Sequence, residues 1–315
     1  MKLLASTHPA IARYLDAITP PCETPPPRDS LFLPSITEGI YDNLIGVRSS
    51  HLKSILRSDD HFIHKITAPY ETTKSQNFGV LCHHSILYPD EKLPILEIPD
   101  DLNLNSKEGR ETKTVAAEEG LIIVRKYDIE RISAIKEVIH SDEELSKGIT
   151  SGFKEASISV TVPVNTGDTT HYLRIKARFD CIVHGDFFID LKFTADARPD
   201  AWVWRVKDFM YNLQASHYLN VWNHAVRDPN CQIPEPHRDS RNKFLFVAVE
   251  QDPPHGMNKF LLGEDLAMQG AYLWAQATEK LVELALRGET KGYSSGITIL
   301  KAPSSIGSRY VEEIL

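Results

Sequence analysis

Apolar and polar residues alternate along two neighbouring runs in the middle of the chain, His171 to Val183 and Asp186 to Phe193. A period of two predicts strands with one buried face, and His184-Gly185-Asp186 between them supplies the glycine-containing turn of a hairpin. Glu155 to Val164 repeats the pattern through Ala156, Ile158, Val160 and Val162, and Asn165-Thr166-Gly167-Asp168 makes the turn into the next strand. Lys243 to Gln251 predicts one more strand, reached through a helical crossover as a parallel connection requires. Helical spacing appears in five places. Leu52, Ile55 and Leu56 follow an N-cap signal at Val47-Arg48-Ser49-Ser50; Phe78 to Leu87 runs to a stop near Pro89; Ile129 to Ile139 follows the apolar run Leu121 to Val124. A fourth helix carries Gln214 and Tyr218 behind Trp202, Trp204, Phe209 and Met210, whose apolar content reads mostly as core, and Gly263 to Arg287 is a long amphipathic helix. Pro94 to Lys113 reads as a polar loop, and Ile297, Ile299 and Leu300 are candidates for an edge strand. The order helix, three strands, helix, strand, helix predicts an α/β (α+β) fold with a mixed central sheet flanked by helices. Residues 1–45 allow a short helix over Ala5 to Ile18 but, interrupted by Pro20-Pro21, Pro25-Pro26-Pro27 and Pro34, read as an extended N-terminal arm, leaving 46–315 as one domain.

Composition narrows the class. A chain of 315 residues with 42% hydrophobic content can bury a sizeable core. No apolar run approaches a membrane span, and Thr7-His8-Pro9 cuts the opening MKLLAS too short for a signal peptide, so a soluble cytoplasmic protein is expected. Cys22, Cys82, Cys181 and Cys231 show no C-x-x-C spacing, which argues against a zinc ribbon or a disulfide scaffold and for reduced, mostly packed thiols. The formal charge of −8 weighs against nucleic acid unless the cations gather on one side of the molecule.

The candidate chemistry lies on the paired strands. Asp190 and Lys192, two residues apart, leave the same face of one strand; Asp180 lies on its neighbour; Gln214 and Tyr218, four apart, share a helix face. Two carboxylates beside an ammonium suit a hard divalent cation such as Mg²⁺ or Mn²⁺ acting on a phosphodiester. An isolated D-x-K is most often a surface ion pair, and a histidine such as His83 on an apolar helix is most often packed in the core.

The order of these motifs resembles the PD-(D/E)xK nuclease superfamily, in particular the RecE-type (exonuclease VIII-like) double-strand DNA exonucleases of phages and prophages. The resemblance rests on Asp180, Asp190-Leu191-Lys192, Thr194-Ala195-Asp196 and Gln214 to Tyr218, with Ser50 to Leu56, Phe78 to His83 and Tyr88 to Glu91 upstream. It implies a restriction-endonuclease-like core in which His83, Asp180, Asp190 and the Leu191 carbonyl hold Mg²⁺ or Mn²⁺. It further implies that Lys192 activates or orients water, that Glu155 is an acidic site residue, and that Gln214 and Tyr218 brace phosphate and solvent. Arg48 and Ser50, at a helix start, are candidates for a DNA phosphate. The expected activity is 5′-3′ digestion of one strand of linear double-stranded DNA from its ends, by a homo-oligomeric ring working with a single-strand annealing protein. A RecB-like nuclease on single-stranded or branched DNA and a non-catalytic DNA-end-binding protein are the alternatives. The clustered cysteines that hold an iron–sulfur centre in some RecB-like relatives are absent.

Overall fold

The computed structural model describes residues 8–22, 26, 29–68, 73–185, 187–235, 237–293 and 297. Helix α1 (Pro9–Asp16) opens this part of the chain, followed by strands β1 (Ile18–Thr19) and β2 (Leu31–Leu33) and helix α2 (Glu38–Asn43). These elements do not stand off as an arm. β1 pairs with Leu173 and Tyr172, β2 pairs with Ser157 to Ser159, and the Tyr14 hydroxyl donates to the Leu281 carbonyl. The prolines break the stretch into short pieces, but Ile11 and Tyr14 on one face of α1 have enough apolar surface to dock it. The buried Lys176 ammonium completes the attachment by donating to the carbonyls of Tyr41 at 2.8 Å and Leu44 at 2.6 Å.

Three helices follow: α3 (Ser49–Arg57), α4 (Asp59–Thr67) and α5 (Lys74–Leu87). The N-cap of α3 is Arg48, without a side-chain capping bond, so Ser49 and Ser50 lie inside the first turn rather than capping it. α5 starts at a full capping box between Thr73 and Gln76. The expected loop from Pro94 to Lys113 instead contains strand β3 (Ile95–Ile98) and the start of helix α6 (Lys107–Glu118), which crosses over to a parallel partner, β4 (Ile122–Arg125). Four residues were too few to show a period amid charged neighbours. Helices α7 (Lys126–His140) and α8 (Glu143–Ser151) lead into the sheets.

Strand β5 (Phe153–Lys154) is separated from β6 (Ser157–Thr166) by Glu155, at φ 50°, and Ala156, and β7 (Thr169–Arg178) from β8 (Cys181–Ile182) by Phe179 and Asp180. The long strand expected over His171 to Val183 is therefore two strands in two sheets. β6 and β7 lie in an antiparallel four-stranded sheet ordered β1-β7-β6-β2. β5 and β8 join β9 (Phe187–Thr194) in a second sheet, and main-chain bonds from Glu155 to Asp180 and from Phe179 to Ala156 carry the pairing across the bend. Asp186 of the expected turn lies outside the described residues.

Helices α9 (Pro199–Asp208) and α10 (Tyr211–Val226) divide at Met210, which adopts a left-handed conformation. Trp202 is core, but Trp204 and Phe209 are 44% and 47% exposed, because a short helix lying on one surface can bury only one stripe. β10 (Lys243–Glu250) pairs in parallel with β9, and β11 (Met257–Leu261), which the sequence pattern did not reveal, adds an antiparallel edge. The second sheet is ordered β11-β10-β9-β8-β5. Helix α11 (Glu264–Arg287) ends at Gly288 in the left-handed region. Ile299 and Leu300 of the expected edge strand lie outside the described residues.

The fold is thus α+β, with a curled, largely antiparallel sheet flanked by helices. β10 shows how the layers divide. Phe244, Phe246 and Ala248 enter one core with α3, α10 and α11, while Leu245, Val247 and Val249 enter another with α5, α7 and α8. α10 and α11 approach so closely at Gly270 that a Cβ there would overlap the Asn212 main-chain oxygen. Gly270→Ala is expected to lower stability by about 1–3 kcal/mol through overpacking, read from the urea midpoint. Helix propensity alone would raise it by about 1 kcal/mol.

Candidate active site

Asp190 and Lys192 leave the face of β9 that turns toward α10. Asp190 is 2% exposed. The Lys192 ammonium donates to its Oδ2, and Gln214 Nε2 on α10 donates to its Oδ1 at 2.9 Å. Both carboxylate oxygens therefore have partners, one from the same strand and one from the helix above it. Asp180, in the bend between β7 and β8, accepts the Leu191 N–H at Oδ2 over 2.8 Å, and His83 Nδ1 of α5 stands 3.6 Å from the same oxygen. A strand residue sends its N–H and C=O to the same side, so the Leu191 carbonyl also leaves toward the Asp180 edge. His84 is turned away to Glu91, 3.5 Å distant.

Burial raises both aspartates to about 6, with the Asp180 charge adding to the shift of Asp190 and the Glu155 charge to that of Asp180, while Lys192 opposes the shift in both. Burial also works against the Lys192 charge, but Asp190 and Asp180 outweigh it and hold the ammonium above its ordinary value. Burial, aided by the Lys192 charge, lowers His83 to about 4, so its imidazole is neutral at pH 7 and can serve as a ligand.

The remaining sequence candidates take different positions. Glu155 meets Asp180 through main-chain pairing, but its carboxylate accepts Arg178 Nη2 at 2.8 Å and the Tyr88 hydroxyl at 3.3 Å. Tyr218 sets its ring edge-on to Phe179 at 4.9 Å, beside Asp180, and burial keeps its phenol protonated. Arg48 pairs with Asp42 at 2.7 Å, and with Ser50 it lines a cavity of about 580 Å³ shared with Arg13, Lys65 and Lys176. Sequence reasoning gave no role to Lys53, Tyr211, Arg178 and Tyr88, although Lys53 and Tyr88 lie in segments that carry the resemblance. Lys53 Nζ donates to Gln214 Oε1 at 3.4 Å, and both Lys53 and Lys192 stand 5.2 Å from the centre of the Tyr211 ring. Nothing in the local pattern separates Lys53 from a solvated helix lysine.

His83, Asp180, Asp190 and the Leu191 carbonyl offer imidazole, carboxylate and carbonyl donors with no thiolate among them, a set open to a divalent cation. Among the described residues no three His, Cys, Asp or Glu side chains close into a ready metal cage. All four cysteines are free thiols; Cys82, Cys181 and Cys231 are buried and Cys22 is exposed. Among the described residues no helix is long and apolar enough to cross a membrane.

The family model for a PDDEXK-like domain of unknown function (DUF3799) matches residues 48–303. Among solved structures, a protein of Eubacterium rectale described as a candidate exonuclease superimposes with a TM-score of 0.51 at 15% identity, over 87% of this chain and 98% of that one; at that identity the likeness concerns the fold. The structure of SSO0001, at 14% identity over 68% of this chain and 87% of that one, has a TM-score of 0.28, too low to bear on the fold. No curated protein matches the sequence. Matched over most of its length, and with an acidic pair and a lysine gathered at the bend of its sheet, the chain belongs to the PDDEXK-like domain family.

Proposed function

We propose that this chain is a divalent-metal-dependent exodeoxyribonuclease that degrades one strand of linear double-stranded DNA from its 5′ end and leaves a 3′ single strand. The observation that carries this reading is the buried contact of Lys192 with Asp190, braced by Gln214, beside a second carboxylate and a neutral imidazole. A structural ion pair has no need of Asp180, whose charge makes the cluster harder to ionise. The family and the fold of a neighbour described as a candidate exonuclease support a nuclease in general. The 5′ polarity, the duplex end as substrate, the homo-oligomeric ring and the single-strand annealing partner are drawn from the resemblance to RecE-type enzymes.

In this reading His83, Asp180, Asp190 and the Leu191 carbonyl hold Mg²⁺ or Mn²⁺, which supplies a polarised water and charge neutralisation at the phosphate. Lys192, held charged by the two aspartates, orients the attacking water and answers the charge growing on the phosphoryl oxygens. Gln214 fixes the Asp190 carboxylate, and Tyr218 buttresses the bend at Phe179. Glu155 holds Arg178 at the rim, and Arg48 and Ser50 receive a phosphate of the DNA backbone.

Linear duplexes labelled at either 5′ end, incubated with and without Mg²⁺ against a circular control, test the reading. Digestion is expected to require Mg²⁺ and an end, and Asp190→Ala is expected to slow it at least about 10²-fold while leaving DNA binding largely intact. An unchanged rate rejects the site. Protons compete with the cation for two carboxylates raised to about 6. Mg²⁺ affinity measured by calorimetry is therefore expected to fall as pH drops through 6, and to hold steady between pH 7.5 and 8.5.

A further inference from the structure

Lys53 has no role in the mechanism above, yet it stands within it. It leaves α3 three residues beyond Ser50, on the same helix face, and points to α10, where it meets the Oε1 of the same Gln214 amide whose Nε2 holds Asp190. Two ammonium groups share the Tyr211 ring, and only one is ion-paired: Lys192 is taken by Asp190, whereas Lys53 makes no ion pair among the described residues and feels the Asp190 charge only across the Gln214 amide. Burial, and after it the charge of Lys192, lowers Lys53 to about 7. The Asp190 charge offsets this only in part, and a partly buried cation without an ion-pair partner gains when an anion arrives. α3 also carries Ser50, which lines a polar cavity whose walls hold Arg48, Lys65 and Lys176 along with Glu38 and Asp42, so Lys53 extends that polar face toward the carboxylates.

We infer that Lys53 is a substrate-binding cation of this site, whose ammonium receives a non-bridging oxygen of a backbone phosphate of the strand seated at Asp190. The inference rests on the nuclease reading. The bond to Oε1 has a second effect, because it keeps the Gln214 NH₂ turned to Asp190; a flipped amide would set its donors against Lys53 and its oxygen against the carboxylate.

The test is the salt dependence of DNA binding by the full chain, with Ca²⁺ replacing Mg²⁺ to suppress cleavage and a fluorescent linear duplex as probe. Each phosphate contact adds about 0.9 to the slope of log affinity against log salt. Lys53→Met is expected to flatten the slope by about that amount and to weaken binding several-fold at low salt, while Lys53→Arg keeps both. Lys53→Met is expected to fold with a thermal midpoint at or above that of the parent, since it removes a desolvated charge and keeps the apolar stem. Should it not fold, Lys53→Gln is read in the same way. An unchanged slope in a chain that otherwise binds DNA overturns the inference and leaves Lys53 only as a support for Gln214. A parent chain that neither binds nor cuts DNA overturns the nuclease reading, and this inference with it.

Discussion

A carboxylate buried as deeply as Asp190 costs several kcal/mol unless nearby groups answer its charge, and the elements around it are placed so that they do. Lys192 reaches it from two residues along the same strand, and Gln214 reaches it from α10. The position of α10 is fixed by α11, which crosses it at a glycine, and by Phe179 and Phe188, which pack edge to face against Trp222 on its underside. The second carboxylate, Asp180, is held by the Leu191 N–H and not by a cation of its own. Two acids then face one ammonium, which is bonded to Asp190 and acts on Asp180 only through its charge.

The bend between the two sheets places the second acid. If β7 ran straight into β8, Asp180 would sit in the middle of a ladder with its side chain committed to one face. Passing from one sheet to the other at Phe179 and Asp180 frees the side chain to turn toward β9 and the imidazole of His83. Glu155 occupies the facing bend at a positive φ that a residue with a side chain adopts only when its surroundings enforce it. Its pairing with Arg178 and Tyr88 supplies that enforcement. His83 comes from a helix of one core and Gln214 from a helix of the other, so the cluster lies where the two packed layers meet.

The net charge of −8 says little about this region. Lys53, Lys192 and Arg178 stand among the acids, and the neighbouring cavity is lined by Arg13, Arg48, Lys65 and Lys176 against Glu38 and Asp42. The field met by a ligand depends on such local groupings more than on the total.

The chain's own pattern determined those features that depend on neighbours in sequence. Period two placed Asp190 and Lys192 on one face of a strand. Period 3.6 placed Gln214 and Tyr218 on one side of a helix and separated His83 from His84 by about 100°. The parallel return of β10 followed from the intervening helices. Tertiary contact alone decided the break at Phe179 and Asp180, because an alternating run continues unchanged whether its second half pairs with the same partner or another. It also decided the docking of the proline-divided N-terminal stretch and the exposure of Trp204 and Phe209. The same holds for Lys53 beside Gln214, 161 residues away along the chain. Backbone periodicity is a local property, whereas a bend, a docked helix and a shared ring depend on surfaces that meet only after the chain has closed on itself.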